Sequence, residues 1–351
     1  MRLRLICKPT MVAAGLLAAG AVVSTQSGTP ANTTLTVVPG IKVGHYTLTE
    51  RPTGCTVILA EAGATAGVDV RGAAPATRET DLLDPVDLVQ VAHAVVLSGG
   101  SAFGLDSATG VMRYLEEQKI GFEFGRSHVP IVPAAALFDL TVGDGTIRPN
   151  ADCGYQAAKA ASTKPVAEGS VGAGAGATIG KTGGMGRAMK AGIGSTAIAL
   201  PGGLVVAALV AVNAVGDVVD PATGKIVAGV RAADGTSFAD ARKLLRSGAV
   251  KFQAGQNTTL GVVATNARLT KTQAKRVAQM AHDGFARAIF PSHTPVDGDT
   301  IFALATGALA GNADVGQVGA LAAVVMADAI VRAATQATGV SGFPALRDLK
   351  K

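Results

Sequence analysis

The sequence is poor in aromatic and charged residues for its length of 351. It contains no tryptophan, aromatic residues make up 4% of it, and charged residues make up 16%. Proteins that bind single-stranded nucleic acid stack the bases on aromatic side chains, which are scarce here. The formal net charge is +6, yet no block of five or six basic residues occurs. Nucleic acid is therefore not an expected partner.

Cysteine and histidine are also scarce. Cys55 and Cys153 are too few for a disulfide framework, and the sequence leaves open whether they pair. The five histidines are scattered without the spacing of metal ligands. Neither an H-E-x-x-H motif nor a G-x-S-x-G motif occurs. We therefore expect no metal and no cofactor, and a Ser-His-Asp triad is not the leading hypothesis.

The first residues have the pattern of a signal peptide. Arg2, Arg4 and Lys8 precede a short apolar stretch that fades into small polar residues. The stretch is too short for a comfortable membrane span. We expect residues 1–24 to be removed, leaving a periplasmic or secreted protein with no stable membrane span after processing.

The rest of the chain alternates apolar runs with glycine turns. With 48% hydrophobic residues and 45 glycines, it predicts a single α/β domain over residues 33–351. Ser101 and Thr270 are candidate helix N-caps. The predicted strands are 55–60, 94–100, 204–216 and 260–264, and the predicted helices are 101–118, 238–247, 270–289 and 315–335.

A glycine-rich segment at residues 169–186 partly fits two nucleotide-binding patterns, a phosphate loop at 175–182 and a dinucleotide fingerprint from Gly172. Both patterns need a buried strand before the glycines and a helix after them, and neither context is present. We therefore expect no nucleotide dependence, and we expect Lys181→Ala to leave the protein folded and active.

The same glycines have a second interpretation. A glycine-rich run allows backbone N–H groups to converge on one oxygen atom. Gly172, Gly174 and Gly176 are therefore candidates for an oxyanion or substrate-binding loop.

Asn257, Thr258 and Thr259 stand where a short apolar run begins. Asparagine and threonine are ordinary turn and strand-edge residues, which is one interpretation. The other is chemical. A cut between Asn257 and Thr258 would give Thr258 a free α-amino group with a pKa of about 7.7–8.0. Such an amine can take the proton from the hydroxyl of its own residue, so no histidine is needed. Thr259 is the alternative nucleophile.

Three further polar residues suit this chemistry. Asn213 ends a long apolar run, and a buried carboxamide is a suitable donor to an oxyanion. Asp297 and Asp299 lie in a turn before another predicted strand, where one of them could orient or protonate the new amine. Simple turn chemistry is the alternative for all three residues.

These motifs together resemble the β-aminopeptidase and L-aminopeptidase/D-esterase family of self-processing N-terminal nucleophile hydrolases. The resemblance runs from Val37 to Phe343, through the stretches GIKVGHYT, TGCTVIL, LSGGSAFGLDSATGVMRYLEE, GSVGAGAGATIG, KAGIGSTAI, VAVNAVGD, QNTTLGVVATNA and DGDTIFALATG. It implies a four-layer αββα sandwich similar to that of ornithine acetyltransferases. It also implies self-cleavage into residues 25–257 and 258–351, with Thr258 as the nucleophile.

The resemblance also implies roles for neighbouring residues. Asn213 takes the position of the oxyanion asparagine, and Asp299 that of an acidic residue which organises the amine. Asp297 replaces a serine of the family, and the stretch 132–140 lacks the tyrosine of better-studied members.

The expected function is hydrolysis of small peptides, amides or esters through an acyl-enzyme on Thr258. A non-catalytic binding homologue and an acyltransferase of the same fold are the alternatives. A mostly apolar surface helix would favour association, so we expect a homo-oligomer.

Overall fold

Sixteen strands and five α-helices occupy the described part of this computed structural model, which comprises residues 32–248, 250 and 257–349. The predicted signal peptide, residues 1–24, lies outside the described residues. The strands are β1 (Lys42–Thr47), β2 (Gly54–Val70), β3 (Thr77–Arg78), β4 (Val91–Ser98), β5 (Phe122–Phe124), β6 (Ser127–Val129), β7 (Ala134–Ala136), β8 (Thr178–Ile179), β9 (Met189–Lys190), β10 (Ile193–Ala199), β11 (Val205–Asn213), β12 (Asp217–Val219), β13 (Ile226–Ala228), β14 (Thr258–Thr265), β15 (Ile289–Phe290) and β16 (Thr300–Ala305). The helices are α1 (Ser107–Glu117), α2 (Ala151–Lys159), α3 (Ala241–Arg246), α4 (Lys271–Ala288) and α5 (Val315–Thr335).

Nine strands form one sheet in the order β10-β11-β14-β16-β2-β4-β7-β3, with β1 also paired to β2. Strand β14 is antiparallel to β11 and parallel to β16. The 17-residue strand β2 is shared by two halves of the sheet: its first half pairs with β4 and its second half with β16. The register of β2 against β4 shifts between Leu59 and Ala64, and such irregularities bend a strand.

The bend of β2 brings the two halves of the sheet face to face. Ile58 from the first half and Ala66 from the second half share one buried cluster with Leu209 of β11, Val262 of β14 and Phe302 of β16. Because successive side chains of a strand point to opposite faces, the outer faces are left for the helices. Helices α1 and α2 cover one outer face, and α4 and α5 cover the other. The layers are therefore helix, sheet, sheet, helix, which confirms the predicted αββα sandwich.

Two predicted helices are confirmed almost to the residue. Helix α4 begins after Thr270, whose side chain accepts a hydrogen bond from the Gln273 N–H in a capping box. Helix α5 is long and apolar enough to cross a membrane by length and composition, but most of it is buried within the protein. It packs against α4 and the outer face of β10 and β11, as expected of a core helix.

The helix predicted from Ser101 is wrong at its start, since α1 begins at Ser107 and residues 101–106 form a 3-10 helix. Ser101 is not an N-cap but has left-handed backbone geometry, with φ at 56°. The cause is tertiary. The Asp139 carboxylate accepts the N–H of Gly100 at 2.9 Å, which ties this turn to the segment after β7.

Cys55 and Cys153 form a disulfide, with their Cα atoms 6.2 Å apart. The disulfide joins β2 to α2 inside the buried apolar cluster beneath helices α1 and α2. The pairing that the sequence left open is thereby settled in the structure.

Candidate active site

Sheet pairing brings four of the predicted site residues together. Thr258 is the first residue of β14 and lies opposite Asn213, the last residue of β11. Asn257 forms a parallel bridge with Asp297 in the turn before β16. None of the four is more than 4% exposed. The start of β14 is therefore a closed polar site in an otherwise apolar sheet.

The carbonyl group of Asn257 meets two donors. The Thr258 hydroxyl donates to the Asn257 carbonyl oxygen, and the backbone N–H of Gly298 donates to the same oxygen at 3.3 Å. The predicted nucleophile and a donor suited to a developing oxyanion thus lie on the bond that was predicted to be cut.

Gly298 is a site residue that sequence reasoning missed. A Cβ atom added to Gly298 would lie 2.7 Å from both the Thr258 Oγ1 atom and the Ala74 carbonyl oxygen. Only glycine lets the turn between Asp297 and Asp299 approach the nucleophile so closely. The one available signal was a glycine flanked by two candidate aspartates.

Asp299 is fixed by three donors. Its Oδ1 atom accepts the backbone N–H of Thr259 at 2.8 Å. Its Oδ2 atom accepts the backbone N–H of His293 at 3.0 Å and the Nδ1–H of His293 at 2.9 Å. The carboxylate therefore lies within one peptide unit of Thr258. The hydroxyl group of Thr259 is buried and makes no hydrogen bond to any described residue. Alternation along the strand turns it to the face opposite Thr258.

Asp297 accepts the backbone N–H of Thr294 at 3.0 Å and also the Thr294 hydroxyl. Burial, and then the negative charge of Asp299, raise the pKa of Asp297 to about 6, although Thr294 and Lys181 act in the opposite direction. A carboxyl group with this pKa can exchange a proton near neutral pH. Within the described ranges, no three His, Cys, Asp or Glu side chains are grouped so that they could hold a metal ion.

The side-chain amide of Asn213 has a defined orientation. Its Oδ1 atom accepts the Thr178 N–H at 3.0 Å and the Lys181 Nζ–H at 2.8 Å. Its Nδ2 atom donates to the Phe138 carbonyl oxygen at 2.8 Å. Phe138 belongs to the stretch where the family tyrosine is missing.

Lys181 lies against Asn213, which gives a physical reason to expect an effect of replacing it, whereas the sequence predicted none. Its ammonium group is buried and lies 2.8 Å from Oδ1 and 3.3 Å from the backbone oxygen of Asn213. Burial lowers the pKa of Lys181 to about 7, against the pull of Asp297 and Asp139 in the opposite direction. In the sequence, Lys181 stands out only as part of a phosphate-loop pattern. A single lysine in an apolar, glycine-rich segment was the signal available.

The glycine-rich segment is placed differently from the predicted oxyanion loop. Gly172 N–H donates to the Thr47 hydroxyl at 2.8 Å, and Gly174 N–H donates to the Val171 carbonyl at 2.9 Å. An added Cβ at Gly176 would lie 2.5 Å from the Asp139 carboxylate. The amides of Gly172 and Gly174 are thus engaged inside the fold, whereas the Gly298 N–H contacts the Asn257 carbonyl oxygen.

Comparison with known families and proteins gives a consistent result. Residues 33–346 match the sequence model of peptidase family S58. The chain is 43% identical over 343 residues to an uncharacterized aminopeptidase of Mycobacterium tuberculosis, covering 90% of this chain and 97% of that protein. It is 32% identical over 313 residues to a 6-aminohexanoate-oligomer endohydrolase of Kocuria sp., covering 84% of each chain.

Solved structures show the same fold. A β-aminopeptidase of Burkholderia sp. superposes with a TM-score of 0.64 at 25% identity, over 87% of each chain. The L-aminopeptidase D-Ala-esterase/amidase of Ochrobactrum anthropi, described as a variant of the Ntn hydrolase fold, has the same TM-score at 19% identity. It covers 87% of this chain and 86% of that one.

Proposed function

The chain belongs to peptidase family S58 and is a hydrolase of the aminopeptidase type. From that premise we propose that it cuts itself between Asn257 and Thr258. We propose that Thr258 then serves as its nucleophile. One observation carries this proposal: in the uncut chain the Thr258 hydroxyl and the Gly298 N–H both contact the Asn257 carbonyl oxygen.

The self-cleavage step follows from that contact. The Thr258 hydroxyl oxygen attacks the Asn257 carbonyl carbon, and Gly298 N–H stabilises the oxyanion that forms. The bond from this carbon to the Thr258 nitrogen breaks, and the nitrogen leaves as an amine after taking up the proton that the hydroxyl group gives up. Water then hydrolyses the ester, which frees the Asn257 carboxylate and the Thr258 hydroxyl. Lys181 and Asp297, with pKa values of about 7 and about 6, are the neighbouring groups that can move a proton at neutral pH.

Turnover reuses the same atoms. The free Thr258 amine takes the hydroxyl proton while the oxygen attacks a substrate carbonyl, and the leaving amine or alcohol receives that proton. The acyl group stays on Thr258 until water removes it. Asn213 and Gly298 stabilise the oxyanion, and Asp299 directs the amine. Lys181 holds the Asn213 amide in the orientation that this role requires.

We propose small peptides, amides or esters as substrates. Aminopeptidases and oligomer hydrolases among the relatives support amide bonds between small amino-acid units. Acyl transfer to an amine acceptor is the second candidate, because the same acyl-enzyme would serve it. Adding an acceptor amine to the assay separates the two activities: transfer gives a new amide, whereas hydrolysis gives only the free acid.

Export and homo-oligomer formation are also part of the proposal. The disulfide between Cys55 and Cys153 supports an oxidising compartment, where such bonds persist. The exposed apolar side chains of Phe122 and Phe124 on the β5–β6 hairpin support association with another surface. N-terminal sequencing of the purified protein tests export, since the mature chain should begin near residues 25–32. Light scattering tests whether it forms a homo-oligomer.

The deciding experiment is intact mass measurement with N-terminal sequencing of wild-type protein and Thr258 variants. Wild type should give fragments that end at Asn257 and begin at Thr258. Thr258→Ala should fold but remain uncut and inactive, and Thr258→Ser should still cut because the hydroxyl group is kept. Asn213→Ala should slow turnover by roughly 10²–10³, the scale for one oxyanion donor. Cleavage of Thr258→Ala at the same bond, or full hydrolysis by it, would refute the mechanism.

A further inference from the structure

His293 supplies two of the three donors that hold Asp299. Its backbone N–H and its ring Nδ1–H both reach the same carboxylate oxygen, at 3.0 and 2.9 Å. The other oxygen accepts the Thr259 N–H. A carboxylate bound at both oxygens cannot rotate away, so its orientation beside Thr259 depends largely on His293.

This double contact requires an unusual backbone. His293 lies in the left-handed region, with φ at 55°. This conformation is unfavourable for a residue other than glycine, and it persists only where the surroundings impose it. Here it allows the backbone N–H and the imidazole of one residue to converge on one oxygen.

The ring of His293 is braced from helix α4. His282 meets it edge to face, with ring centroids 4.8 Å apart and planes at 73°. Phe285 stacks on it at 5.8 Å and 26°. His282 in turn donates from Nε2 to the Asp69 carbonyl oxygen at 3.0 Å. The imidazole that holds Asp299 is therefore fixed by two aromatic side chains one helical turn apart.

The hydrogen-bond partners define the tautomers. A carboxylate and a backbone carbonyl only accept, so His293 carries its hydrogen on Nδ1 and His282 carries its hydrogen on Nε2. The opposite ring nitrogens of both residues are buried and make no hydrogen bond within the described part of the chain. Burial lowers the pKa of His282 to about 4, so His282 is neutral at neutral pH and acts by packing.

We propose that His293, braced by His282, is a positioning residue that aims Asp299 at the amine which self-cleavage creates on Thr258. The inference rests on the proposed function of that site. In the uncut chain Asp299 already binds the N–H of Thr259, one peptide unit away. After the cut, the same carboxylate accepts a hydrogen from the Thr258 amine and directs the amine lone pair toward the hydroxyl proton.

The test compares two variants of His293 after self-cleavage. Asparagine tolerates left-handed geometry and offers a side-chain N–H in place of Nδ1–H. Glycine also fits the backbone but removes the donor. Lys119→Gly is the matched control, because Lys119 is exposed and has φ at 58°. The substrates are amino-acid p-nitroanilides, and kcat and KM are measured separately on fully cleaved protein.

His293→Gly should lower kcat by about tenfold, the lower end of what a hydrogen bond to a charged group contributes, with KM nearly unchanged. His293→Asn should restore most of kcat, and Lys119→Gly should match wild type. Equal kcat in His293→Gly and wild type would overturn the proposal. If His293→Gly does not fold, a folded and cleaved His293→Asn with a tenfold loss of kcat would overturn it instead.

A second readout does not depend on activity. Long-range ¹H–¹⁵N spectra of histidine-labelled protein should show His293 as the Nδ1–H tautomer and His282 as the Nε2–H tautomer. An Nε2–H tautomer at His293 would refute the inference even in an active enzyme. Two other outcomes would refute the proposed function and not the role of His293: a wild-type chain that stays uncut, or a Thr258→Ala variant that is active.

Discussion

Lys181 is a buried cation that donates to the side-chain oxygen of Asn213 and compensates part of the charge of Asp297. Replacing it with methionine would keep the length of the side chain but leave the Asn213 amide without its charged donor. We expect Lys181→Met to slow both self-cleavage and turnover by roughly 10²-fold, the effect of losing one element of an oxyanion site. Gel densitometry over time and a hydrolysis assay measure this.

Lys225→Met is the control for the lysine variant, because Lys225 is exposed on a turn. It should cut and turn over as wild type does. Self-cleavage of Lys181→Met at the wild-type rate would show that Asn213 is oriented by its other contacts alone.

Gly298 is a second residue for which the structure gives a sharp prediction. A methyl group at this position would press on the Thr258 Oγ1 atom from 2.7 Å, well inside contact distance. Gly298→Ala should therefore fold but cut at least tenfold more slowly, since displacing a reacting group by about 1 Å can cost 10²-fold. Gly202→Ala is the matched control, because nothing lies within 4 Å of its added Cβ. If both variants self-cleave equally fast, the close approach of this turn is not required.

Single residues differ in how well the sequence could find them. Thr258, Asn213 and Asp299 lie at strand ends, where polar residues interrupt apolar runs, so the chain itself marks them. Lys181 contacts Asn213, which is 32 residues away, and His293 contacts Asp299 through a turn whose left-handed geometry no residue pattern records. Gly298 is similar, since its requirement is set by atoms of Thr258 and Ala74.

Among the structural elements, strand β12 carries a buried carboxylate that binds residues 230 and 241 of the segment before the proposed cleavage site. The two oxygens of Asp217 accept the N–H groups of Val230 and of Ala241, the first residue of α3, each at 2.7 Å. Burial raises the pKa of Asp217 to about 6, although these two donors lower it. The ionised form of Asp217 therefore costs folding free energy above pH 6.

The sign of the pH effect follows directly. Between pH 6 and pH 4 the folded state binds a proton at Asp217 that the unfolded state does not bind, so acid stabilises the folded state through this group. Relative to Asp217→Asn, the free energy of unfolding should rise by up to about 1.4 kcal/mol for each pH unit lowered in this range. Urea titrations in an uncut Thr258→Ala background measure it. A difference between the two proteins that is independent of pH would contradict the prediction.

Elements were predicted best where caps and periodicity agree. Helix α4 has both, since Thr270 caps a regular amphipathic pattern. The start of α1 was missed because the contact of Gly100 with Asp139, far along the chain, decides the turn. The sequence did not predict that β2 pairs with β4 along its first half and with β16 along its second half, since this depends on which strands lie side by side.

At the scale of the whole molecule, the disulfide lies entirely on one side of the proposed cleavage site. Cys55 and Cys153 are 98 residues apart, and both precede Asn257. A denaturing gel without reductant should therefore still show two fragments after self-cleavage. Thiol labelling of the denatured large fragment should reach neither cysteine before reduction, and labelling of Cys55 or Cys153 without reductant would contradict the pairing seen here.

Removing the disulfide should affect stability rather than chemistry. Replacing both cysteines with alanine should lower the free energy of unfolding by about 2–4 kcal/mol, because the unfolded chain regains the freedom of a long loop. Self-cleavage should persist, since Cys55 and Cys153 lie in the cluster under α1 and α2 and not at the start of β14. A double variant that folds but cannot cut would indicate a link between the two regions. Thermal unfolding with and without the bond measures the loss.

The overall architecture was predicted through the family resemblance and not from periodicity alone. Apolar runs indicated strands such as β11 and β14, but their order in the sheet cannot be read from the runs themselves. The order matters, because β14 lies between β11 and β16 in the interior of the sheet.

The interior position of β14 has a consequence for biosynthesis. In the proposed self-cleavage, its first residue becomes a chain end only after β11 and β16 have paired with it, so folding must be complete before the cut. A gene divided at this point would start the second polypeptide with an initiator methionine, which would cover the amine of Thr258. A single continuous reading frame avoids this, since the polypeptide itself sets the moment at which its new end appears.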